Sequence, residues 1–213
     1  MMLAILVPLT GYLIVDHYGR DVIPVPRYYI PEKVDTIVKN GTATYDTTFH
    51  VVKDFTFTNQ MGQQVSLKDL PGKVILVNFF FTSCPSICPK MMANLEKVQQ
   101  AYVKNDTLLQ LVSLTVDPER DSAARLKEFA QRFSINEGNW KLLTGSKKEI
   151  YCLARKSFQV IATDGDGGPD DFIHSDQLIL MDTQKRIRGY YNGTEEKEIT
   201  QLIKDIKKLE HEN

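Results

Sequence analysis

Apolar positions along the chain fall into short blocks of changing period. Phe55 and Phe57 alternate with threonines, Asn59-Gln-Met-Gly62 supplies a turn, and Val65 and Leu67 resume the apolar pattern. This predicts a short hairpin. Pro71-Gly72 then breaks the chain, and 74–81 reads Val-Ile-Leu-Val-Asn-Phe-Phe-Phe. Such a nearly continuous apolar run is what a central strand buried on both faces requires. Ile87, Met91, Leu95, Val98 and Tyr102 recur at three- or four-residue steps, which predicts an amphipathic helix over 86–104. Leu108 to Val116 reads as a second buried strand. Asp121 is suited to cap a helix in which Leu126, Phe129, Ala130 and Phe133 share a face.

Further along, Trp140 to Leu143 reads as a strand, Ile150 to Ala154 as part of a helix, and Phe158 to Ile161 as a brief strand. Residues 163–171 are a loop by composition. Gln177 to Met181 and Arg186 to Tyr191 flank Asp182-Thr-Gln-Lys185 as a second hairpin, and Ile199, Leu202, Ile203, Ile206 and Leu209 mark a final helix. The order β-α-β-α, then hairpin and helix, is an α/β layout. It matches the thioredoxin arrangement: a central mixed sheet flanked by helices, with inserted elements and an N-terminal hairpin. The domain is expected over 51–211.

The chain before it behaves differently. Residues 1–15 carry no charge, and Asp16, His17 and Arg20 end the run. As a helix the run is roughly 22 Å long, against ~30 Å for a bilayer core. It reads as an N-terminal membrane anchor over 1–20, complete or shortened at its start. A signal-peptide core lacks its preceding basic residues here, and a buried core helix is disfavoured by Pro8 and Gly11. Pro24, Pro26 and Pro31 with a polar Asn-Gly-Thr stretch suggest an extended linker over 21–50.

A net charge of -1 leaves no basic excess to neutralise phosphates, so nucleic acid is excluded as a partner. Of three cysteines, Cys152 sits in an apolar helical context and is expected as a small buried hydrophobe. The other two form Cys84-Pro-Ser-Ile-Cys88-Pro, where the buried strand ends and the helix begins. Unpaired N–H groups at a helix start favour a thiolate, and residues four apart project from one face. Two thiolates are soft donors that suit Cu(I) and need at least one more ligand. Among four histidines, His17, His50 and His211 are expected to face solvent. His174 stands between the Asp/Gly-rich loop and a strand that, in this fold, lies beside the one leading to the cysteines.

Phe81-Thr-Ser-Cys-Pro-Ser-Ile-Cys-Pro89, Ser113-Leu-Thr-Val-Asp-Pro-Glu-Arg-Asp121 and His174 before the last hairpin together resemble the Sco/SenC family. These are thioredoxin-like copper proteins that assist assembly of the CuA centre of cytochrome c oxidase. The resemblance implies Cys84 and Cys88 as thiolate ligands, His174 as the third ligand, and copper as Cu(I) or Cu(II). It implies thiol exchange with a target. Its partners would be the oxidase subunit bearing CuA, other copper chaperones or thioredoxin-like reductants. The domain would stand on the periplasmic or equivalent extracytoplasmic side of a membrane. For Asp117 a role in tuning the site stands beside a plain turn, and for Asp121 the helix cap is preferred.

Two competing functions stay open. A thiol–disulfide oxidoreductase would use Cys84 and Cys88 as a redox-active catalytic pair. Against it, the spacing has three intervening residues, Ile173-His174-Ser175 lacks a proline before the facing strand, and redox chemistry alone needs no His174. A thiol peroxidase would find Thr82 and Ser83 nearby, but a second cysteine four residues on fits it poorly.

Overall fold

The computed structural model describes residues 30–39, 42–70, 72–102, 108–160 and 175–210. The apolar run at 1–15 and His174 lie outside the described residues. The stretch expected as an extended linker contains a hairpin instead: β1 (Pro31–Lys39) pairs antiparallel with β2 (Thr42–Phe49). Its composition explains this. Val34, Thr36 and Ile37 face Thr47, Tyr45 and Thr44, all residues that suit a pleated strand. Asn40-Gly41, a hairpin-favouring dipeptide, stands between the two strands in sequence. Among the described strands, β1 and β2 pair only with each other. Their base is tied to the domain, since Val51 bridges to Arg186 and the Val52 N–H donates to the Lys185 carbonyl at 2.9 Å. The His50 ring Nε2 lies 3.1 Å from the Ser157 carbonyl oxygen, so His50 is a half-buried structural pin rather than a solvent-facing residue.

Among the described residues the main sheet has seven strands, in the order β4-β3-β7-β6-β5-β8-β9. They are β3 (Thr56–Asn59), β4 (Gln64–Ser66), β5 (Val74–Phe80), β6 (Leu109–Thr115), β7 (Trp140–Thr144), β8 (Gln177–Met181) and β9 (Ile187–Asn192). β5, β6 and β7 run parallel, while the β3–β4, β3–β7, β5–β8 and β8–β9 pairs are antiparallel. Every residue of β5 and β6 is buried. One face meets Phe55, Phe57, Ile150 and Phe158. The other meets α1 (Ile87–Ala101), α2 (Ala123–Arg132) and α4 (Glu196–Glu210) through Met91, Leu95, Leu126 and Leu202. Polar groups inside these strands are paired in series. The Trp140 indole donates to the Ser113 hydroxyl at 2.9 Å, which donates to Asn78 Oδ1 at 2.6 Å.

Two expectations near α3 (Lys147–Cys152) are corrected. Ile150, Tyr151, Leu153 and Ala154 take up the buried face, which turns Cys152 out to solvent. Phe158 to Val160 form no strand. The helix continues as a π-helical turn over Leu153–Ser157 and closes with Phe158 and Val160 donating to the Leu153 and Ala154 carbonyls. Gln159 takes a left-handed φ of 48°, which reverses the chain at this helix end. Phe158 is apolar because its ring enters the core edge-on to Phe79, at 5.8 Å between centroids.

One close approach orients the helix that carries Cys88. Asn94 on α1 donates to the Gly193 carbonyl at 2.9 Å, and the Gly193 N–H donates to the Asp176 carbonyl at 2.7 Å. A Cβ at Gly193 would lie 2.8 Å from Met91 Cγ and 3.0 Å from the Asp176 carbonyl oxygen. Gly193→Ala is therefore expected to cost about 1–3 kcal/mol by overpacking. It should lower the urea midpoint with the slope unchanged. A wild-type midpoint would contradict this packing.

Candidate functional site

β5 delivers the site by where it stops. After Phe80 the chain turns through Phe81, Thr82 and Ser83, and the Cys84 N–H donates back to the Phe81 carbonyl at 3.2 Å. α1 starts at Ile87 with Ser86 as its N-cap. Pro85 precedes the helix, and Pro89 is its third residue, where an N–H would have no intrahelical acceptor. Both prolines of the motif are thus compatible with a helix that begins between the two cysteines. Cys84 is partly exposed in the turn, whereas Cys88 is buried on the first turn of α1 among Phe80, Met91 and Met92.

The two thiols are unequal for physical reasons. Partial burial raises the Cys84 thiol, but the backbone groups of Ser86 and Cys88, the Cys88 thiol and the Ser86 hydroxyl outweigh it. The net effect lowers Cys84 below the ordinary thiol range, as expected beside a helix N-terminus. Its sulfur lies 3.9 Å from the Ser86 hydroxyl. Burial pushes the Cys88 thiol up to about 12. A backbone hydrogen bond with Phe81 opposes that rise, while the Cys84 sulfur and the Asp121 carboxylate add to it. The two shifts are opposite in sign, so Cys88 is the harder of the two thiols to deprotonate.

Asp121 does not cap α2. Ser122 does, accepting from the Arg125 N–H at 3.3 Å. The Asp121 carboxylate turns inward and is fully buried. It accepts from the Thr82 N–H at 3.0 Å, the Thr82 hydroxyl at 2.5 Å and the Thr115 hydroxyl at 2.5 Å. Asp117, just past β6, is also buried; its N–H donates to the Thr115 hydroxyl oxygen at 3.1 Å. Its carboxylate meets the exposed Arg120 guanidinium at 3.4 Å, a contact that solvent screens. Sequence reasoning named Thr82 only as a group for a peroxidase and missed Thr115. Their signal is a hydroxyl residue at the end of each of two buried apolar strands.

The structure therefore brings together Cys84 and Cys88, with Asp121 close enough to act on Cys88, at the end of the sheet where β5 and β6 stop. Cys152 lies elsewhere, beside Lys53, Phe55 and Lys156 at a surface depression. β8 runs antiparallel to β5, with Leu178 opposite Asn78, so its first residues emerge at the same end as the cysteines. His174 precedes that strand but lies outside the described residues, and among those described no group of three ligating side chains converges on one point. The two sulfurs form a soft donor pair of the kind that suits copper(I), which needs at least one further ligand.

The SCO1/SenC family model matches residues 43–211. The chain belongs to the SCO1/SenC family. The crystal structure of a SCO1/SenC family lipoprotein from Bacillus anthracis str. Ames is 35% identical, with a TM-score of 0.67, covering 75% of this chain and 95% of that one. BsSco, a member of the Sco family of cytochrome c oxidase assembly proteins in which a disulfide switch was identified, is 37% identical. Its TM-score is 0.65, over 75% of this chain and 93% of that one. Bradyrhizobium japonicum ScoI, solved with copper bound, is 27% identical with a TM-score of 0.60, covering 75% and 99% of the two chains. The thioredoxin-like fold expected from the order of elements is the fold of this family.

The unequal thiols predict unequal reactivity. In the reduced, metal-free chain at pH 7, iodoacetamide should alkylate Cys84 at least about tenfold faster than Cys88, because only the thiolate attacks. The Cys84 rate should level off at a pH below the ordinary thiol value, while the Cys88 rate should still be rising above pH ~10. Peptide mapping separates both from Cys152, and equal rates at the pair would contradict the assignment.

Proposed function

We propose that this chain is a copper metallochaperone that binds the ion through Cys84, Cys88 and His174. It passes copper to the subunit of cytochrome c oxidase that bears the CuA centre. The observation that carries the proposal is the sulfur pair itself. One partly exposed thiol, lowered below its ordinary range, and one buried thiol, raised above it, stand at a helix start. Copper bound to such a pair is a soft-ligand complex that neither sulfur needs to leave the fold to form. Copper-bound relatives of this family support copper as the ion. The oxidase-assembly role of BsSco supports the recipient. Met1 to Val15 supplies the tether, with the domain held on the extracytoplasmic side; among the described residues no helix is long and apolar enough to cross a membrane.

In this mechanism Cys84 meets the incoming ion first, because its sulfur is the more accessible and the more readily deprotonated. Cys88 joins by losing its proton, which the soft metal makes favourable. His174 completes a site of two sulfurs and one nitrogen, with a neutral imidazole donor. The Asp121 carboxylate acts on Cys88, and a negative group there suits a cationic cargo.

A second reading has its own observation. A low thiol beside a high, buried one is the pattern of an attacking and a resolving cysteine, which favours thiol–disulfide exchange with the recipient's cysteines. The two are separable by titration. Anaerobic titration of the reduced full chain against a chromophoric Cu(I) chelator should give one copper per chain. Cys84→Ser and Cys88→Ser should each abolish tight Cu(I) binding, and His174→Ala should weaken Cu(II) binding strongly. Unchanged copper affinity in all three variants would remove the metal site. Exchange at full rate in His174→Ala, with copper binding also intact, would favour the oxidoreductase.

A further inference from the structure

Asp121 spends none of its hydrogen bonds on the helix it precedes. Ser122 caps α2 without it. Its carboxylate accepts three hydrogen bonds from the ends of β5 and β6: two from Thr82, one from Thr115. The Asp121 residue is fully buried, and a buried carboxylate is costly unless each oxygen is hydrogen-bonded. Here both oxygens are, and the donors belong to the turn after β5 and to the last residue of β6. The Thr115 hydroxyl also accepts from the Asp117 N–H, so the same carboxylate reaches the loop after β6 through one intermediary.

We infer that Asp121 is a positioning residue for the cysteine pair: its carboxylate clamps the Thr82-Ser83-Cys84 turn against β6 and so sets where the Cys84 sulfur stands relative to Cys88. Thr82 is two residues from Cys84, and the turn between them is closed by the Cys84 N–H bond to Phe81. A clamp at Thr82 therefore leaves the turn little freedom. Cys88 is held independently, by burial on α1. The distance between the sulfurs thus depends on a polar contact across 39 residues of sequence as much as on the four-residue spacing. This role rests on Cys84 and Cys88 acting as a pair, whether toward metal or toward disulfide.

The test uses the full chain, metal-free, equilibrated with glutathione and its disulfide. Two protein thiols are oxidised to one disulfide while one glutathione disulfide is reduced to two glutathiones, so the equilibrium constant reads how well the sulfurs are placed together. Thr82→Val removes the hydroxyl donor and keeps the bulk, Thr82→Ser restores the donor, and Asp121→Asn removes the charge. Thr82→Val and Asp121→Asn should lower the constant roughly tenfold, the factor that corresponds to one charge-assisted hydrogen bond. Thr82→Ser should return it to within about twofold of wild type on the same scale. Ser122→Ala, which removes the α2 cap, should lower stability and leave the constant unchanged. If Thr82→Val leaves the constant at wild type, or Ser122→Ala moves it as much as Thr82→Val does, the clamp is only structural and the inference is overturned. The thiol equilibrium needs no copper, so this outcome is distinct from failure of the copper titration.

Discussion

Complete enclosure of β5 is the constraint from which the rest follows. The strand is hydrogen-bonded to β6 on one edge and β8 on the other, and its side chains are buried on both faces. Such a strand has no freedom to slip, because a one-residue shift would exchange the side chains of its two apolar layers. Its exit point is fixed accordingly, and the helix that must cover one of those layers has to start within a few residues. A thiol in that interval is brought against a helix N-terminus by packing alone. The unequal thiols of Cys84 and Cys88 are thus a result of core burial, expressed at its edge.

The interior also explains how polar chemistry is carried so close to the apolar core. Trp140, Ser113 and the Asn78 side-chain oxygen form one hydrogen-bonded series inside the sheet, and Thr82, Thr115 and Asp121 form another at its rim. Both sets join neighbouring parallel strands by side-chain bonds in addition to the backbone ladder. The rim set carries a full negative charge, which faces Cys88 and works against a second thiolate there. A cation bound between the sulfurs would relieve that opposition. The buried carboxylate therefore favours two states of the pair, one with a proton and one with a metal ion.

Much of the fold was legible in the sequence because its main elements bury a face. The β5 run, the α1 periodicity and the Gln177–Tyr191 hairpin emerged close to their observed bounds for that reason. The β1–β2 hairpin did not, since it buries little and follows closely spaced prolines that suggest extended chain; only its β-branched residues and Asn-Gly dipeptide marked it. Phe158 and Val160 misled because apolar residues two apart read alike in a strand and at a buried helix end. Cys152 misled because its apolar neighbours, not the cysteine itself, take the inward face. At the site, the cysteine spacing was explicit, whereas the Asp121 contact joins residues far apart in sequence and exists only once β5 and β6 pair. His174 lies outside the described residues, and its role rests on the family pattern.

The central claim is that Cys84 and Cys88 hold copper at the mouth of this strand. X-ray absorption at the copper edge, on the full chain loaded with one equivalent of Cu(I), reads the ligand set directly. The account predicts a first shell with two sulfur scatterers and one nitrogen, and loss of one sulfur in Cys84→Ser. A first shell of nitrogen and oxygen alone, unchanged in that variant, would contradict it.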